Sequence, residues 1–132
     1  MDIFTDKIIT ESFSMDYFRF GSGDRAFVIL PGLSIQSVLL SKEAVAQGYA
    51  SLAEYYTIYV FDRREDLPDP YTVEDMAEDT AEAMKELGLK DTFLFGASQG
   101  GMMAQVIAIR HPELVAKLVL GSTSSHVLNS QY

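Results

Sequence analysis

The chain has 132 residues, 10 Lys and Arg against 19 Asp and Glu for a formal net charge of −9, and 48% apolar residues. That length and apolar content suit one domain, residues 1–132, with its own core, and the acidity argues against nucleic acid or an anionic membrane as partner. No apolar run approaches the ~18 residues of a membrane span. Met1-Asp2-Ile3-Phe4 lacks the basic-then-apolar pattern of a secretory leader, so the cytoplasm is the expected location. With no cysteine there is no disulfide, no thiol catalysis and no Cys-ligated metal.

In chain order, Glu11 to Gly21 places Phe13, Met15, Tyr17, Phe18 and Phe20 among polar residues, the pattern of one or two half-exposed strands closed by Gly21-Ser22-Gly23-Asp24. Ala26 to Leu30 is continuously apolar and reads as a strand buried on both faces, ended by Pro31-Gly32. A helix is expected over Lys42 to Tyr55, then a second buried strand from Thr57 to Phe61 ending at Asp62. Thr72 to Leu87 carries Val73, Met76, Ala77, Thr80, Ala81, Met84 and Leu87 on one helical face. Thr72 is the expected N-cap, with Asp75 completing a capping box and Gly88 at the C′ position. A short strand, Thr92 to Phe95, precedes a helix from Gln99 to Arg110 that is apolar nearly all round, which predicts burial. Pro112 blocks its continuation, and Leu114 to Leu120 forms a last strand. Strands alternating with helices at this spacing argue an α/β fold, a mostly parallel sheet with crossover helices.

Gly96-Ala97-Ser98-Gln99-Gly100 is a G-x-S-x-G sequence between a buried strand and a buried helix. A serine on so sharp a strand-to-helix turn is held in a strained conformation with its hydroxyl above the sheet. The flanking glycines are small because strand and helix approach closely there. Around this turn, Val28-Ile29-Leu30-Pro31-Gly32-Leu33 resembles the strand and oxyanion loop of the α/β-hydrolase superfamily. Phe61-Asp62-Arg63-Arg64 resembles its Asp-x-Arg turn, although Glu65 stands where a glycine is common. His111-Pro112-Glu113-Leu114-Val115 and Leu118-Val119-Leu120 follow in the family's order, so the resemblance runs from about Tyr17 onward.

The resemblance implies a truncated α/β-hydrolase fold with Ser98 as nucleophile and the backbone N–H groups of Leu33 and Gln99 as oxyanion donors. A serine hydroxyl needs a base, and the family supplies an acid and then a histidine further along the chain. The sequence stops at Tyr132, shortly after the strand that resembles the sixth of eight, so the triad's acid and histidine are expected to be missing. Ser98, Glu113 and His126 stand in the right order. However, Gln99 to His111 as a helix rises about 20 Å, which puts His111 and Glu113 at the far end of the sheet, His111 as a helix C-terminal cap. His126 follows the last strand on the elbow's side and is the one candidate base. The acidic residues from Asp62 to Glu86, among them Glu74/Glu78/Glu82 and Asp75/Asp79 at i, i+4, read as a solvated helix face rather than a cation site. Met102 and Met103 read as core filling. No spacing implies a metal or an organic cofactor.

Two functions follow. The first is a serine hydrolase, esterase- or lipase-like, transferring the acyl group of a small ester, thioester, lactone or amide to water, with this chain inactive by itself. The second is a non-catalytic half-fold that serves as a binding or assembly module. The apolar strand Leu114 to Leu120 would present an unpaired edge, so the chain is expected to self-associate there or to pair with a C-terminal half.

Overall fold

The computed structural model describes residues 2–30 and 38–121. Six strands form one sheet: β1 (Phe4–Ile9), β2 (Ser14–Gly21), β3 (Arg25–Leu30), β4 (Tyr56–Arg64), β5 (Thr92–Ala97) and β6 (Val115–Gly121). Three helices connect them: α1 (Lys42–Gly48), α2 (Val73–Glu86) and α3 (Gln99–Arg110). The strand order is β1-β2-β4-β3-β5-β6, with β3, β4, β5 and β6 mutually parallel and the β1 and β2 pairings antiparallel. This is an α/β architecture with a mostly parallel centre.

Both faces are packed. On one, Met15, Tyr17, Val28, Leu30, Phe61 and Leu94 meet Ala77, Ala81 and Met84 of α2 and Met103, Ala104 and Ile107 of α3. On the other, Phe18, Phe20, Ile29, Ile58 and Val60 meet Ala46 of α1 and Ala53 beyond it. β2 is therefore buried on both faces, not half-exposed; the adjacent pair Tyr17-Phe18 sends one aromatic ring to each core. α2 forms as its sequence dictates. Thr72 accepts a hydrogen bond from the Asp75 amide at 3.1 Å, and Asp75 accepts one from the Thr72 amide at 3.0 Å. Gly88 ends the helix at φ +71.

Four further points differ from the sequence reading. β1 is a strand that the pattern did not announce, because Asp6 and Lys7 interrupt it and its pairing with β2 is tertiary. The helix expected over Lys42 to Tyr55 stops at Gly48 and gives way to a 3-10 turn, Ala50–Leu52; glycine costs a helix about 1 kcal/mol relative to alanine. The strand expected to end at Asp62 runs on to Arg64. Finally, α3 is not wholly buried: Ile109 is 79% exposed.

Among the described residues, β1 and β6 are the two edges of the sheet. β1 carries charge: Lys7 pairs with Asp16 at 3.5 Å and with Glu65, and the Arg19 guanidinium covers the Phe4 ring at 4.7 Å. β6 carries only Lys117, beside the exposed Ala116, Val119 and Leu120.

Candidate active site

The parallel strands β3, β4, β5 and β6 all end at one side of the sheet, and there β5 passes into α3 through a single residue, Ser98. Its backbone lies at φ 55, ψ −127, a sparsely populated region for a residue with a Cβ, costing about 1–3 kcal/mol. Backbone hydrogen bonds hold it. The Ser98 amide donates to the Gly121 carbonyl at the end of β6 (3.3 Å), and the Ser98 carbonyl accepts from the amides of Gly101 (3.0 Å) and Met102 (3.3 Å). Gly96 makes the turn feasible: a Cβ there would lie 2.3 Å from the Gly100 carbonyl oxygen. Ser98 is exposed, Gln99 half-buried and Gly100 buried.

The opening amides of a helix have no acceptor within it and carry its positive pole. In α3 the Ser98 amide donates to the Gly121 carbonyl, and Gln99 and Gly100 open the helix directly after the serine. Leu33 and His126 lie outside the described residues.

At its other end, α3 ties to α2. The His111 amide donates to the Ile107 carbonyl at 2.7 Å, so this residue caps the helix as the sequence predicted. Its ring stands between Lys85 (Nζ to Nδ1, 3.2 Å) and Glu78 (Nε2 to Oε1, 3.0 Å). An ammonium can only donate, so Nδ1 accepts and Nε2 carries the hydrogen shared with Glu78. Arg110 also approaches Glu78, at 3.7 Å. His111 and Glu113 are thus separated from Ser98 by the length of α3, about 18 Å.

A second polar cluster escaped the sequence reading. Asp79 does not join the solvated acidic face of α2: its carboxylate accepts from the Tyr71 hydroxyl and lies 3.6 Å from Nη1 of Arg64, with both ionic side chains 15% exposed. Arg64 also donates from Nη2 to the Ser12 carbonyl at 2.8 Å and lies over the Phe13 ring. Burial, then the hydrogen bond to Asp79, pushes the Tyr71 hydroxyl well above the usual phenol range. The neighbouring Asp62, within β4, accepts from the Arg63 amide at 2.8 Å. No local signal marks the Arg64–Asp79 pair, since helix periodicity alone puts Asp79 beside Glu78 and Glu82.

Among the described residues, no three His, Asp or Glu side chains converge as a metal site, and no helix is long and apolar enough to cross a membrane. A cavity of about 440 Å³ lined by Arg25, Tyr59, Leu89 and Lys90 opens at the amino ends of β3 and β5, away from Ser98.

Ser98 thus stands, strained, between a parallel strand and a helix on a sheet of order β1-β2-β4-β3-β5-β6. The profile of the alpha/beta hydrolase fold family matches residues 26–131, and the chain belongs to that family. It is similar to serine hydrolase BPHL of Mus musculus, 28% identical over 131 residues, covering 92% of this chain and 43% of that protein. Among solved structures it resembles epoxide hydrolase CorEH (TM-score 0.81, 23% identity, 99% of this chain and 46% of that one). It also resembles haloalkane dehalogenase DbeA from Bradyrhizobium elkani (TM-score 0.76, 20% identity, 92% of this chain and 42% of that one). The chain spans less than half the length of each of the three. The activities in their names differ, so the fold alone does not choose a reaction.

Proposed function

We propose that the chain carries the nucleophile half of a serine hydrolase. Ser98 Oγ attacks the carbonyl carbon of a small ester, thioester, lactone or amide while a base accepts its proton. The tetrahedral oxyanion forms against the amides of Gln99 and Leu33, donors of a kind worth about 3 kcal/mol each. Collapse expels the leaving group, which takes the proton, and the acyl group on Ser98 passes to water. The observation that carries this reading is the strained placement of Ser98, exposed at the head of α3. The similarity to a mouse serine hydrolase supports it. The base is His126, a residue of further sequence of the same protein, or a group from a partner chain, since His111 sits at the far end of α3. By itself the chain is expected to turn over esters slowly or not at all.

Fluorophosphonate labelling tests the reading, run with and without a high concentration of imidazole as an external base. The expected result is one label per chain, mapped to Ser98, accelerated by imidazole and lost in Ser98→Ala. Loss of the imidazole-independent labelling in His126→Ala would assign the base to this chain. A label that survives Ser98→Ala, or a folded chain that takes none under either condition, would sink the reading. The second outcome favours a binding or assembly module.

A further inference from the structure

We propose that the cavity beneath the carboxyl end of α2 binds a small zwitterion, an α-amino acid with an apolar side chain, at the end of the sheet opposite to Ser98. The proposal stands apart from the chemistry at Ser98.

The cavity, about 440 Å³, lies within the size range of ligand pockets, and its sequence explains it. Its floor is the α2 face of β3 and β4, where Ala26 lies beside Thr57, and Tyr59 follows beside Val28. Val28 and Phe61 fill that face further along. Ala26 is too small to do the same, and Gly88, turning out of α2 at φ +71, adds no side chain from above. All of the lining residues fall between Asp24 and Asp91, and β5 stands between β3 and β6. The cavity is therefore walled by described residues on the side of the sheet away from β6.

Charge selects the ligand. Asp24 and Asp91 line the cavity against Arg25 and Lys90. None of the four forms an ion pair among the described residues. A simple anion would meet two carboxylates and the field of a chain with net charge −9; a simple cation would meet Arg25 and Lys90. A ligand with an ammonium at one side and a carboxylate at the other satisfies both pairs. Half-buried Tyr59, stacked on Tyr17 at 6.4 Å, and Leu89 offer apolar surface to its side chain.

Backbone strain points to the same place. Among the described residues, Asp91 and Ser98 are the two non-glycine positions with positive φ, at 52 and 55. Aspartate tolerates this region better than most residues, yet glycine would be free of its cost. At Ser98 the strand-to-helix turn accounts for the strain. At Asp91 the chain keeps a carboxylate beside the cavity instead of relaxing. The position is held from two sides: the Asp91 amide donates to the Glu113 carbonyl at 3.2 Å, and its carbonyl accepts from Nη1 of Arg25 at 2.9 Å. The Arg25 guanidinium is fixed in turn 4.8 Å over the Phe93 ring. The mouth is thus set before any ligand arrives, which lowers the cost of binding.

The test titrates L-phenylalanine into the full, isotope-labelled protein and follows the backbone amide resonances. Phenylpropionate, which lacks the ammonium, and phenylethylamine, which lacks the carboxylate, are titrated alongside. The expected result is saturable shifts at residues 24–26 and 88–91, with a Kd of about 1 mM or lower for L-phenylalanine. Each analogue should bind at least about tenfold more weakly, the scale of one lost hydrogen bond to a charged group. The double variant Asp24→Asn/Asp91→Asn keeps the backbone of residue 91 and should erase the preference for L-phenylalanine over phenylpropionate. Lys90→Met should erase the preference over phenylethylamine.

No saturation by about 10 mM, shifts centred elsewhere, an analogue that binds as tightly as L-phenylalanine, or variants that keep both preferences would each overturn the proposal. If the double variant fails to fold, the analogues and Lys90→Met, at an exposed position, still decide it.

Discussion

The two ends of α3 are built for opposite purposes. At the amino end, Ser98 sits at φ 55 on a turn so tight that Gly96 cannot carry a side chain, and the serine is exposed. At the carboxyl end, His111 caps the helix and its ring bridges Lys85 and Glu78 of α2. One end stores strain and presents a hydroxyl; the other uses polar side chains to fasten two helices. A serine and a histidine on one helix need not be partners, because the helix that links them in sequence separates them in space.

Substitutions should break this contrast in graded ways. Gly96→Val forces a side chain against backbone that cannot move aside, so it should lower stability by about 3 kcal/mol or more and abolish fluorophosphonate labelling, as read by urea melts and intact mass. Ser98→Gly should do the reverse to stability: a residue free of the φ penalty should raise the melting midpoint by the equivalent of about 1–3 kcal/mol while labelling disappears. A neutral or destabilising result would mean that Ser98 is not strained. His111→Ala should cost about 1 kcal/mol through its lost hydrogen bonds and leave the rate of Ser98 labelling in imidazole unchanged; a large loss of labelling would join the two ends functionally.

The smallest effect concerns Tyr71. Its hydroxyl is held above the usual phenol range in the folded chain, so the unfolded chain releases that proton first as pH rises. The stability this provides is complete below pH ~10 and declines above it. Tyr71→Phe should flatten that decline in melts at pH 9 to 11, and an unchanged slope would refute the assignment.

What could be read from the sequence was local. The apolar stripe and capping box of α2, the continuous strands β3 and β4, and the Gly96-to-Gly100 turn all depend on neighbours within a few residues. What escaped was settled by distant partners. β1 owes its extended form to pairing with β2. Asp79 looks like one more surface acid until Arg64 arrives from β4. The outward side of α3 is apolar yet exposed at Ile109, which helical periodicity alone cannot distinguish from a buried face. Of the four residues retained for the reaction, the described structure places Ser98 and Gln99 side by side at the head of α3, while Leu33 and His126 fall outside it.

The hydrogen bond from the Ser98 amide to the Gly121 carbonyl has a temporal consequence. It joins the elbow to a strand made only after α3 has been completed, so the order of synthesis sets when the turn is locked. A nascent chain whose β6 is still inside the ribosome has the serine but lacks its bond to Gly121. The conformation of the Ser98 turn should therefore become fixed only once β6 emerges and docks, rather than with each residue added.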